Sequence, residues 1–233
     1  MAKKKVQNDI PDAAGTEALS GLKLKVRKKE LTWIIGVMFF LLVVILLTSY
    51  LTKSSNSFTY QTLRFDKQLY GTVPVYVYGY TFKDITGAAV QEYRYQLLLR
   101  LDPRKNDVPV EGEIVLNQYG RDIMISVNTT GFESCQTTSR DFASLSGFLT
   151  GNLFNVQGGV PDKNVANELN FTHITCSLYP DKTVLEVQSS GKTSIRKISN
   201  TCYHINIANC ETLNAVEKFE VQSLIDAKKR KSS

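Results

Sequence analysis

Hydrophobic positions fall into two regimes along this chain. Residues 31–52 form an unbroken apolar block without one acidic or basic side chain, and beyond it apolar and polar positions alternate in short runs. The block holds 22 residues. As a helix rising ~1.5 Å per residue it would be about 33 Å long, enough to cross a hydrocarbon core of ~30 Å with modest tilt. Trp33 and Tyr50 stand near its two ends, where amphipathic rings suit the membrane interfaces. Thr48 and Ser49 bring polarity only at the far end, so no polar stripe runs along it. The pattern predicts a transmembrane helix over residues 31–52.

The alternating runs predict strands. In VPVYVYGYTF (residues 73–82), Val73, Val75 and Val77 share one face, and Tyr76, Tyr78, Tyr80 and Phe82 share the other. YRYQLLLRL (93–101) alternates likewise, and FKDITGAA supplies the Asp and Gly of a turn. Together they read as one long hairpin. FTYQTLRF (58–65) precedes it, and EIVL (113–116) and IMISV (123–127) flank a turn at NQYGRD. FTHITCS, TVLEV, TSIRKI and YHINIA predict further strands, with SSGKTS as a hairpin turn.

Helical spacing marks two segments. Phe142, Leu145, Leu149 and Leu153 recur at helical intervals after Ser139, a suitable N-cap. A final helix starts near Glu211, capped by Asn209. Residues 155–170, containing GGVPDKN, read as a long loop. Roughly eight strands with two helices leave too few crossovers for a doubly wound layout. The expected class is α+β: one N-terminal transmembrane helix, then a mixed, mainly antiparallel sheet domain with two helices on one face. The strand–helix–strand passage over 123–177 adds one parallel pair.

Flanking charge gives the block a direction. Lys23, Lys25, Arg27, Lys28 and Lys29 crowd its N-terminal side, whereas Lys53 stands alone until Arg64. Basic flanks stay in the cytoplasm, so residues 53–233 are expected outside the cell membrane, with the N-terminus cytoplasmic. A cleaved signal peptide needs an apolar core of ~7–15 residues and a small-residue cut site. This core is longer, and SYLTK stands where the cut would fall. A pilin-like stem would carry an acidic residue inside it, and Glu30 lies outside. The reading is an uncleaved signal-anchor. It divides the chain into a disordered basic cytoplasmic tail (1–30), the anchor (31–52), an extracytoplasmic α+β domain (53–227) and a basic C-terminal tail (228–233).

Composition then removes one function class. The formal charge of +6 is concentrated at the two ends of the chain. Without the terminal KKRK the outer domain is slightly acidic, so no nucleic-acid partner is expected.

All four cysteines (Cys135, Cys176, Cys202, Cys210) follow the apolar block, as an oxidising compartment requires. No Cys-x-x-Cys occurs. A zinc site from the cysteines with His173 and His204 is the weaker reading beside two disulfides. If residues 203–208 are extended, Cys202 and Cys210 stand about 26 Å apart, beyond the ~7 Å a disulfide spans. Cys135 and Cys210 both precede helices, so the favoured pairing is 135–210 with 176–202.

NTT at Asn128 and NFT at Asn170 are glycosylation acceptor patterns on the outer side. Seven of the eleven tyrosines lie between Tyr60 and Tyr95. With valines turned to the core, Tyr76, Tyr78 and Tyr80 would present a binding face of rigid, wettable rings.

No G-x-S-x-G, dinucleotide, phosphate-loop, calcium or paired-carboxylate motif occurs. No catalytic residue, metal ligand or cofactor is assigned. The function expected is a non-enzymatic binding or assembly module for another protein or envelope component, held in the lipid bilayer. The alternatives are an extracytoplasmic thiol–disulfide enzyme, with Cys210 before a helix as its nucleophile, and an accessory subunit of a larger membrane complex.

Overall fold

The computed structural model describes residues 28–84, 90–116 and 121–232. The cytoplasmic tail expected at residues 1–30 lies almost wholly outside the described residues. The chain divides into two units, Met1–Lys53 and Ser54–Ser233. In the first, helix α1 (Lys28–Ser55) carries a 19-residue stretch, Thr32–Tyr50, of mean hydropathy 2.5. Among the described residues it alone is long and apolar enough to cross a membrane. Its apolar side chains are exposed all round, Trp33 and Phe39 included.

The second unit is α+β, with two sheets. The smaller is an antiparallel meander of β1 (Ser57–Tyr60), β2 (Leu63–Tyr70), β3 (Val73–Asp84) and β4 (Gln91–Leu99) in sequence order. The expected strand at 58–65 is two strands, turned at Gln61 with φ 51°. The long hairpin is present, with Tyr78 opposite Leu97 and Tyr80 opposite Tyr95.

The larger sheet is mixed. Its strands are β5 (Val110–Glu111), β6 (Asp122–Val127), β7 (Asn155–Val160), β8 (Thr172–His173), β9 (Thr183–Ser189), β10 (Ser194–Lys197) and β11 (Cys202–Ile207). They stand in the order β5-β10-β11-β9-β6-β7-β8. Only β10 and β11 pair antiparallel; the other five pairings are parallel. Parallel β6 and β7 are joined through α2 (Thr138–Gly151), as the 123–177 passage suggested. SSGKTS is not a hairpin turn: β9 and β10 flank β11, so the segment crosses over it.

The segment 155–170, expected as loop, contains β7 and α3 (Lys163–Leu169). One of the glycines that suggested a loop, Gly159, has a packing use here. A Cβ on Gly159 would collide with the Thr172 carbonyl oxygen, so the close β7–β8 approach needs glycine. Asp162 caps α3, its Oδ1 accepting from the N–H of Asn164 and Val165. EIVL is not a strand. Its backbone groups are satisfied by side chains instead: Ile114 N–H donates to Asp226 and Val115 N–H to the Tyr203 hydroxyl.

The last helix, α4 (Thr212–Ser232), runs on through the basic residues expected as a free tail. Lys228 donates to the Thr62 carbonyl and Arg230 to Glu113, which gives the terminal turns partners. The expected caps shift as well. Thr137, not Ser139, precedes α2, and Asn209 and Cys210 both take positive φ before α4 begins.

One core joins both sheets through α2 and α4. Leu185, Val187, Ile205 and Tyr203 of the larger sheet, Leu145, Phe148 and Phe219 of the helices, and Phe65, Leu97 and Leu99 of the smaller sheet form one buried cluster. Tyr203 meets Phe219 edge-on, and Tyr95 meets Phe148 likewise. The opposite face of the larger sheet holds only a minor cluster around Met124, Ile174 and Val184.

Candidate binding surface

The tyrosine face of β3, expected outside, is turned inward: Tyr76 is buried and Tyr78 and Tyr80 are half-buried. On the valine face Val73 is 52% exposed and Val75 half-buried, while Val77, opposite Leu98, is buried. The aromatic row packs on itself, Phe65–Tyr78–Tyr80–Tyr95, at ring separations of 5.5–5.7 Å. The Tyr80 hydroxyl donates to Asn152 Oδ1 just past α2. Burial pushes the Tyr78, Tyr80 and Tyr95 hydroxyls above their ordinary pKa. Tyr76, Tyr78 and Tyr80 therefore do not form an open binding face. Valine is the more apolar residue, but tyrosine has the area to fill the wide space over two helices, and its hydroxyl finds a partner there.

Inverting that face exposes other features. Beyond the inner row, β4 turns Glu92, Arg94, Gln96 and Leu98 outward. It pairs with β3 on one side, and its other side meets no strand among the described residues. It is nine residues long. The remaining edges are β1 at four residues and β5 and β8 at two each. Short edges protect a sheet from pairing with other chains; a long one offers a row of unpaired N–H and C=O groups.

Buried charge holds the end of this strand. The Glu217 carboxylate accepts from the backbone N–H of Arg100 at 2.7 Å and of Leu101 at 2.9 Å. The Arg100 guanidinium pairs with buried Asp141 of α2, which also accepts from Thr137. Glu220, one turn along α4, is 1% exposed, and its Oε1 is buried with no hydrogen-bond partner. Loss of hydration raises both glutamates, Glu217 to about 7 and Glu220 to about 8. Sequence reading missed this cluster. Its trace was there: Glu217 and Glu220 sit on either side of Phe219, in a helix with no consistently polar face.

The cysteines pair as favoured. Cys135 bonds Cys210 and Cys176 bonds Cys202, with Cα separations of 5.3 and 5.6 Å. The first bond staples the starts of α2 and α4, beside a 3.2 Å contact between the Thr138 and Thr212 hydroxyls. The second sits on the far face of the larger sheet. There the sulfurs converge with His204, the three ligand atoms lying within 4.8 Å of one another. Both sulfurs are consumed in the disulfide, so no thiolate is offered to a metal. His204 Nε2 instead lies 3.0 Å from Glu186 Oε2, and Glu186 also accepts from Cys176 N–H. His173 is elsewhere, its Nε2 3.0 Å from the Pro161 carbonyl.

The two sequons differ in access. Asn170 is exposed, in a left-handed C-cap after α3. Asn128 is half-buried, and its side-chain oxygen accepts from Thr130 N–H, an Asx-turn.

Comparison with family models, with curated proteins and with solved structures finds no match to this chain.

Proposed function

We propose that this chain is a single-pass membrane protein, N-terminus in the cytoplasm, whose outer domain works without chemistry as a binding and assembly module. Its docking element is the open side of β4, and its partner is a protein that adds an extended strand there. The observation that carries this reading is the inequality of the sheet edges: among the described residues β4 is an edge strand of nine residues, against four, two and two for the other edges.

Strand addition draws affinity from main-chain hydrogen bonds and specificity from alternate side chains. Glu92, Arg94, Gln96 and Leu98 supply those side chains on the outward face. The Glu217 carboxylate and the Arg100–Asp141 pair fix the end of the strand against both helices, so the edge is held straight before a partner arrives. Two closed disulfides favour a rigid scaffold over thiol chemistry. Asn170 is the sequon with the access that glycosylation needs.

Lysine on an edge strand disfavours pairing. The double variant Gln96→Lys, Leu98→Lys changes two exposed positions and should leave the melting midpoint unchanged. It should weaken partner association by about tenfold or more, the equivalent of ~1.4 kcal/mol. Association unchanged in the variant would remove β4 from the reading.

A further inference from the structure

The turn between β2 and β3 carries exposed apolar side chains close together. Leu69 is 69% exposed, Tyr70 62% and Val73 52%. Tyr70 and Val73 are opposite one another across the hairpin, and Leu69 is opposite Pro74 on the other face. Both faces of the hairpin end are thus apolar and open, so the end projects past the core instead of covering it. Gly71, with φ 63°, makes the tight turn.

The register says which end of the sheet this is. Ser57 pairs with Asp66, and the Lys67 N–H donates to the Asn56 carbonyl. Gln68, Leu69 and Tyr70 therefore continue beyond the point where the chain joins the sheet. Three residues at ~3.4 Å each carry the tip about 10 Å past Asn56. The uncharged segment ends at Thr52, and only Lys53–Ser54–Ser55–Asn56 intervene. Four residues span at most about 14 Å even when fully extended. A bilayer that holds residues 31–52 is then within reach of the tip. The chemistry suits it: residues 67–82 contain no acidic side chain, and Lys67 is exposed beside the tip.

We infer that the Leu69–Val73 hairpin tip is a lipid contact, dipping between the headgroups of the membrane in which the apolar segment is anchored and fixing the outer domain against it. The inference rests on the anchoring reading above. Leu and Val give the tip apolar area, and Tyr70 is a ring with a polar end, the chemistry of an interfacial belt. A second contact beside the anchor restricts how the β4 edge is presented.

The test uses the full chain in vesicles of phosphatidylcholine and phosphatidylglycerol, some of whose acyl chains are brominated to quench tryptophan. Trp33 is the one native tryptophan, and its quenching in the parent chain reports anchoring. In a Trp33→Phe background, Tyr70→Trp probes the tip and Thr81→Trp, exposed toward the far end of β3, is the comparison. With a tip ~5–10 Å into the interface, the tryptophan at 70 should be quenched about twofold or more beyond that at 81. A quenched Trp33 with equal, weak quenching at 70 and 81 overturns the tip contact and leaves the anchor standing. A blue-shifted but unquenched signal at 70 assigns the tip to protein and also overturns it. Absence of quenching at Trp33 removes the anchor, and the tip contact with it.

Discussion

The Tyr80 hydroxyl and Asn152 Oδ1 are joined by a 2.6 Å hydrogen bond that ties the middle of β3 to the end of α2. It marks the tyrosine row as interior. Tyr80→Phe leaves the Asn152 acceptor without its partner and should cost about 1 kcal/mol of stability. Tyr78→Ser opens a cavity between Phe65 and Tyr80 and should cost about 2–4 kcal/mol. Urea denaturation of the Ser54–Ser233 unit measures both. A Tyr78→Ser midpoint equal to the parent's would return that ring to the surface.

The faces of β3 were legible in the sequence; their direction was not. Period-two alternation separates valine from tyrosine but does not say which side meets the helices. That choice was made by Asn152 and Phe148, which approach Tyr80 and Tyr95 from a different part of the chain. The cysteine pairing was readable because two of the four cysteines precede helices and the extended 203–208 run separates its own two. Parallel pairing of β6, β7, β9 and β11 leaves no local signal. The Gly158–Gly159 pair suggested a loop, where at Gly159 the backbone needed room beside β8. Of the site, β4 itself was legible as a strand, but its lack of a second neighbour follows only from the assembled topology.

Glu220 and Glu217 give the domain a pH dependence of definite sign. Their folded values, about 8 and about 7, stand above the ordinary carboxyl value of 4.5. The folded state therefore binds more protons than the unfolded chain between those limits. Stability should be greatest below about pH 4.5 as far as these two groups go, and fall as pH rises toward 7 and 8, by up to ~1.4 kcal/mol per pH unit for each carboxyl. Glu220→Gln should flatten the fall and raise the melting temperature at pH 8. A parent domain equally stable at pH 5.5 and pH 8.5 would contradict this.

The disulfides should contribute unequally. Cys135–Cys210 closes a separation of 75 residues and Cys176–Cys202 one of 26. Loop-closure entropy makes the longer loop worth about 1 kcal/mol more, within a typical ~2–5 kcal/mol for either. Paired Cys→Ala variants, compared by denaturant midpoint, test the order. A costlier loss at 176–202 would place strain or packing above chain entropy here.

Orientation is open to protease. Trypsin added to sealed cells or outside-out vesicles should remove the outer domain and spare the basic N-terminal segment. In a glycosylating host Asn170→Gln should abolish a mobility shift that Asn128→Gln leaves in place. An outer domain that resists trypsin until the membrane is permeabilised would reverse the topology.

The proposed docking role requires that the open side of β4 be occupied. A photo-cross-linking amino acid placed at Gln96, on the edge strand, reports any chain lying alongside it in intact cells. A second chain carrying the same amino acid at Gln157, on the opposite side of the larger sheet, controls for random collision. Strand addition at β4 predicts a discrete adduct of higher mass from position 96, lost in the Leu98→Lys background, and none from position 157. Equal labelling at the two positions, or no adduct at 96 under conditions where the protein is folded and membrane-bound, would contradict it.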